Sequence, residues 1–188
     1  IMTTSNDDRP RPRVLTLLFD GVEEIEAIAP VDLLPRAAIV VVMASVNEQQ
    51  VVEGRSGIRI QTEKTWSEIE NEPFDLLFIP GGPGVFALFE NEAILQIIRQ
   101  RNQNAQWTAA ICAAPKLLAA AGILENRTAT SHGSIRPELP ISSDERIVVS
   151  DHIITSQGAG TAIEFGLQLI ETLTDQKTAH SIAQSIHF

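Results

Sequence analysis

The chain has 188 residues and a formal net charge of −10, with 44% apolar and 20% charged side chains. That length and balance fit one domain with a full core, and the acidic surface repels phosphate backbones, which argues against nucleic acid as a direct ligand. No apolar run reaches the roughly 18 residues of a bilayer span and no basic-then-apolar leader opens the chain, so no membrane partner is expected, while a single cysteine excludes an intramolecular disulfide and fits a reducing, cytoplasmic setting.

Residues Met2 to Pro12 are polar and proline-containing and read as a loose tail, residues 1–12, ahead of one domain over residues 13–188. Arg13 to Phe19 is an apolar strand, and Asp20-Gly21 turns the chain. Glu23 to Arg36 has helical spacing, with Ile25, Ile28, Ala29 and Leu33 as its apolar residues; Pro30 and Pro35 are expected to kink or shorten it. Ala38 to Ala44 is a valine-rich strand without alternation, the pattern of a parallel strand covered on both faces. Gln49 to Gln61 reads as a hairpin turning near Gly54 to Gly57, and Trp66 to Glu70 as a short helix. Phe74 to Ile79 is a strand that runs into the loop Pro80 to Gly84. A helix over Glu92 to Arg101, a strand over Trp107 to Ile111 and a helix from Ala114 to Ala121, ended by Gly122, follow. Arg146 to Val149 and His152 to Thr155 form a ribbon, and Thr161 to Thr172 is the last clear helix. Strands alternating with helices predict an α/β fold: a mostly parallel sheet with helices on both faces, ligands binding beyond the carboxyl ends of the strands.

Three of those strand ends carry the candidate chemistry. Cys112 sits in Ala110-Ile111-Cys112-Ala113-Ala114-Pro115, where small residues two before and two after allow the tight strand-to-helix turn of a nucleophile elbow. The N-terminus of the following helix is expected to lower the thiol pKa from about 8.5 toward about 5 to 7. The alternative is a small buried core cysteine. In Pro80 to Gly84, the N–H of Gly81 or Gly82 could join that of Ala113 in an oxyanion hole, or the glycines could simply serve a turn. Glu26 shares the stripe of Ala29 and Leu33, and burial there would raise its pKa into the range of a proton carrier; a solvent-reaching glutamate is the plainer alternative. His132, 20 residues after Cys112, could shuttle a proton for the thiol or stand in solvent. The histidines at 132, 152, 180 and 187 lack HxxxH spacing, so no metal or other cofactor is expected.

Taken in order, Asp20-Gly21-Val22-Glu23-Glu24-Ile25-Glu26 with Ala29-Pro30-Val31-Asp32, then Ile79-Pro80-Gly81-Gly82, then Ala109 to Pro115, then Thr155 to Thr161 with Glu164-Phe165, resemble the ThiJ/PfpI superfamily, in the branch of the Parkinsonism-associated deglycase. The resemblance implies a flavodoxin-like three-layer sandwich of the class I glutamine amidotransferase-like type, and a homodimer. It implies a hydrogen bond between Glu26 and Cys112, with His132 near by and Gly82 and Ala113 at the oxyanion-hole positions. Asp32 and Arg36 match positions near the dimer interface and an anion-binding surface. The chain departs from the pattern in four places. Ala113 stands where members reputed to be proteases have histidine, which counts against peptide hydrolysis; Ala114 replaces a glycine; Arg55 is offset in the hairpin; Gln157 replaces a frequent arginine.

The function implied is a cofactor-independent cysteine enzyme acting on small reactive carbonyls, with glutathione-independent glyoxalase or deglycase chemistry and a possible response to oxidative stress through Cys112. Isocyanide hydration, suggested by Gly81 to Leu88, is one alternative; those enzymes place an aspartate in the first loop. A redox sensor or chaperone without catalysis is the other.

Overall fold

Strands that are apolar throughout need cover on both faces, and the computed structural model, which describes residues 10–188, provides it. Seven strands form one sheet in the order β10-β11-β7-β6-β1-β2-β5. They are β1 (Arg13–Leu18), β2 (Val40–Ser45), β5 (Lys64–Thr65), β6 (Leu76–Ile79), β7 (Trp107–Ile111), β10 (Ile147–Ser150) and β11 (Ile153–Ser156). All neighbours run parallel except β10, which is antiparallel to β11. Along β6 the side chains alternate between two cores: Leu77 and Ile79 enter one, Leu76 and Phe78 the other. The first core lies under α2 (Trp66–Ile69), α3 (Glu92–Gln103) and α4 (Ala114–Ala120); the second lies under α1 (Glu24–Leu33), α5 (Ala162–Leu173) and α6 (Gln176–Ser185). The expected α/β sandwich is the observed fold.

Small elements complete it. The hairpin is β3 (Val51–Glu53) with β4 (Arg59–Gln61), and β8 (Thr128–Ala129) pairs with β9 (Ile141–Ser142) in a short parallel ribbon that the sequence pattern did not suggest. Pro30 does not break α1; the helix runs through it to Leu33 and tightens into a 3₁₀ turn over Leu34–Ala37, where Pro35 stands at the start. The segment after the glycines is not all loop, since Pro83–Glu90 winds as a 3₁₀ helix begun by Pro83. The residues after Asp175 form α6, whose first turn is capped by the Asp175 carboxylate accepting from the Thr178 N–H at 2.7 Å, with Ala179 and Ile182 buried. The expected tail falls mainly on residues 1–9, outside the described residues; Pro12 already accepts a hydrogen bond from the Val40 N–H at 2.8 Å.

One helix turns part of its expected apolar face outward. In α1 Ile25 and Ile28 are exposed, whereas Glu24 and Glu26 are buried along with Ala27, Pro30 and Leu33. The reason is the surroundings of the first turn: backbone N–H groups from three loops converge there and need acceptors, which carboxylates supply and isoleucines cannot.

The floor of the sheet depends on a buried cation. Arg101, in the last turn of α3, is 5% exposed and donates to the carbonyls of Phe74, Asp75 and Trp107, at the leading ends of β6 and β7. Loss of hydration depresses its pKa to about 10, so it stays charged at neutral pH. Arg101→Met strands those carbonyls and is expected to cost about 2–4 kcal/mol, measured as a lower urea midpoint at unchanged m-value.

Candidate active site

The sheet reverses its winding at β1, and the loops after β1 and β6 meet beyond that point, where open α/β sheets bind ligands. The two loops interlock through their backbones: the Glu23 N–H donates to the Gly81 carbonyl at 2.9 Å and the Gly84 N–H to the Gly21 carbonyl at 3.1 Å. Gly82 has φ +108°, and a Cβ there would run into the Gly21 carbonyl and stand 2.5 Å from the Glu23 nitrogen. Gly81 is needed for another reason, because its Cβ would lie 2.5 Å from Glu26 Oε2 and 2.6 Å from Cys112 Cβ.

Cys112 and Ala113 make the turn between β7 and α4, and Cys112 takes the left-handed backbone there, with φ 64°. A non-glycine residue in that region costs on the order of 1–3 kcal/mol and persists only where its surroundings hold it. Two bonds do so: the Cys112 N–H donates to the Ser156 carbonyl at 3.0 Å, and the Cys112 carbonyl accepts from the His132 N–H at 2.9 Å. Ser156 is fixed in turn, its hydroxyl 2.6 Å from that of Thr161, which also meets Gly158. The sulfur is left half-buried in the wall of a cavity of about 690 Å³.

Glu26 is 1% exposed and faces that sulfur. Its Oε2 accepts from the Gly81 N–H at 3.1 Å, and the Ala159 N–H and the Cys112 sulfur are near enough to stabilise its charge. Burial raises its pKa to about 7, as the sequence suggested for a buried glutamate. The thiol is a correction. Burial first, then the Glu26 charge, push it up to about 12, against the Gly82 and Ala113 N–H groups that favour the thiolate. A helix of seven residues offers too little to reverse that order. The two acids therefore titrate as a coupled pair: the first negative charge falls on the carboxylate, and burial with that charge opposes a second one on the sulfur. In the tautomer with the proton on Glu26, the thiolate is met by a carboxylic O–H and two backbone N–H groups.

The other expected residues lie close by. The Gly81 N–H, one of the two donors the sequence allowed beside Ala113, donates to Glu26, whereas the Gly82 and Ala113 N–H groups act on the sulfur. His132 lines the same cavity, its Nδ1 held by Ser134, with the hydroxyl at 2.8 Å and the N–H at 3.3 Å. Arg55, offset in sequence, still reaches the cavity and pairs with Glu23 at 2.9 Å. Gln157 stands in the lining and donates to the Asp144 carbonyl at 2.8 Å. Among the described residues, no group of three or more His, Cys, Asp or Glu is arranged to hold a metal ion, and no helix is long and apolar enough to cross a membrane.

The profile of the DJ-1/PfpI family matches residues 12–172. The chain belongs to that family. Protein dj-1beta of Drosophila melanogaster is 33% identical over 177 residues, 92% of this chain and 95% of that one. The glutathione-independent glyoxalase DJR-1.2 of Caenorhabditis elegans is 33% identical over 171 residues, 89% and 91%. The structure of oxidized Toxoplasma gondii DJ-1 superposes with a TM-score of 0.91 at 34% identity, over 94% of this chain and 98% of that one.

Within this DJ-1/PfpI cavity several residues escaped the sequence reading. Arg136, paired with Asp144, and Arg146, paired with Glu164 at 2.7 Å, both line it. So do Phe86 and Ala159, whose N–H meets Glu26. No short-range pattern announces Arg136 and Arg146, while Phe86 and Ala159 fall inside the segments Gly81 to Leu88 and Thr155 to Thr161 without being singled out. The coupling gives a measurable consequence. Alkylation of Cys112 by iodoacetamide is expected to be slow at neutral pH and to rise steadily with pH, because burial and the Glu26 charge push the thiol up. In Glu26→Gln, which removes that charge, the midpoint moves down by about one unit or more; an unchanged midpoint would mean that Glu26 and Cys112 are not coupled.

Proposed function

We propose that this chain is a cofactor-independent cysteine enzyme that converts 2-oxoaldehydes to 2-hydroxy acids without glutathione. The observation that carries this reading is the one set of groups around a single sulfur: the buried Glu26 carboxyl on one side and the Gly82 and Ala113 N–H groups on another. The strained turn at Cys112 fits the nucleophile elbow. A relative of similar length bears the name glutathione-independent glyoxalase, which supports the same chemistry here.

In this scheme the Cys112 thiolate attacks the aldehyde carbon, forming a C–S bond, and the carbonyl electron pair moves to oxygen. The Gly82 and Ala113 N–H groups receive that oxyanion and Glu26 protonates it, giving a hemithioacetal. Glu26 or His132 then removes the C1 proton to form an enediol and returns a proton to C2. C1 is thereby oxidised to a thioester and C2 reduced to an alcohol, with no external oxidant. Water hydrolyses the thioester, releasing the 2-hydroxy acid and the thiol. Lactate is expected from methylglyoxal without added glutathione, and Cys112→Ser is expected to abolish it; activity retained in that variant would sink the proposal.

A second reading shares the geometry: oxidation of Cys112 to a sulfinate, whose oxygens Glu26 would hold when protonated. A structural relative is the oxidized form of its protein. Mild peroxide is expected to leave a stable adduct of two oxygen atoms at Cys112, seen by mass spectrometry. Loss of the same adduct's stability in Glu26→Gln would support the holding role.

We also propose a homodimer formed through α1 and the β3–β4 hairpin. Ile25 and Ile58 are each 57% exposed on these neighbouring elements, joined by the Ser56 N–H donating to Glu24 Oε1 at 2.8 Å. Apolar side chains on such adjoining elements suit a self-complementary interface. Light scattering is expected to give twice the chain's mass, and Ile25→Glu half of that value; a monomer in the native protein would refute it.

A further inference from the structure

The cavity beside Cys112 is larger than a three-carbon aldehyde requires. At about 690 Å³ it lies in the range of sites that enclose ligands of drug size, about 300–1,000 Å³. One wall is apolar, and its main element is Phe86, which is 45% exposed while lining the same cavity as the sulfur.

Phe86 is not a loose surface ring. It meets Phe89 edge-to-face, with centroids 5.6 Å apart and planes at 86°. The Lys116 ammonium stands 5.6 Å from the Phe86 centroid and 5.8 Å from that of Phe89, and Glu138 anchors it at 2.6 Å. Three elements thus fix the ring: the 3₁₀ helix that bears it, α4, and the turn at Arg136–Glu138. Ile135, in the same turn region, adds a second apolar surface to the lining. A fixed aromatic ring with one side open to a reactive sulfur's cavity favours a flat apolar group over water.

We infer that Phe86 forms an aryl subsite, so that the preferred substrate is a 2-oxoaldehyde with an aromatic or similarly flat apolar substituent. This rests on the reading of Cys112 as the thiol that attacks the carbonyl. The substituent lies against Phe86 while the aldehyde carbon meets Cys112.

Two measurements test it. In the first, kcat/KM is compared for phenylglyoxal and methylglyoxal. The ratio is expected to fall about tenfold in Phe86→Ala, chiefly through KM for phenylglyoxal, and to persist in Phe86→Trp. In the second, Cys112 is alkylated by iodoacetanilide and by iodoacetamide, the thiolate displacing iodide from each, with both rates normalised to a small free thiol. The aryl preference is again expected to fall about tenfold in Phe86→Ala and to persist in Phe86→Trp. The second readout does not depend on turnover. If the native protein turns over neither aldehyde yet the labelling preference falls in Phe86→Ala, the subsite stands and the glyoxalase reading fails. If the labelling preference is unchanged in Phe86→Ala, the aryl subsite is overturned whatever the turnover.

Discussion

A single negative charge held between two buried acids organises this protein. Cys112 and Glu26 cannot both ionise in a site with so little water, because burial and mutual repulsion oppose the second charge. Neither can be left without partners. Much of the surrounding architecture supplies them: N–H groups from Gly81 and Ala159 on the carboxyl, and from Gly82 and Ala113 on the sulfur. Those donors come from the ends of three strands, so the site exists only when the sheet is assembled.

The same demand explains features that look wrong in isolation. α1 turns two glutamates inward and two isoleucines outward, against the usual sense of an amphipathic helix. Glu24 accepts from the Ser56 N–H and so ties the hairpin to α1, which sets Arg55 over the cavity beside Glu23. Cys112 adopts a left-handed backbone that costs free energy, and the carbonyl of Ser156 and the N–H of His132 hold it there. Rigid strands and short loops make this affordable geometry, since side chains on fixed strand ends keep their relative positions.

Charge is distributed unevenly between the molecule and its site. The chain carries −10 overall, yet Arg55, Arg136 and Arg146 all line the cavity, each paired with a carboxylate. The pairing leaves the rim close to neutral and polar, while Phe86 and Ile135 furnish an apolar wall.

How much of this could be read from the residues alone varies with the length scale. Unbroken apolar runs such as Leu76–Ile79 announce strands covered on both faces, because the period-2 alternation is lost when both sides are buried. Small residues around Cys112 and the glycines after β6 mark places where backbone must come close, and a Cβ at Gly81 or Gly82 would indeed collide. The order of the motifs tied Glu26 to Cys112. The periodicity of α1, by contrast, pointed its isoleucines inward, since a local pattern cannot register acceptors demanded by loops distant in the chain. The thiol's pKa went the opposite way for a like reason: the helix start is local, but burial and the facing carboxylate are not. Sequence by itself determined the strands and the tight turns and singled out Cys112 as the candidate thiol, all of which depend on neighbours along the chain. Only the tertiary structure decided which N–H groups meet which acid, in which direction burial and the facing charge push the two acids, and that Phe86 faces the cavity, because those depend on contacts between residues dozens of positions apart.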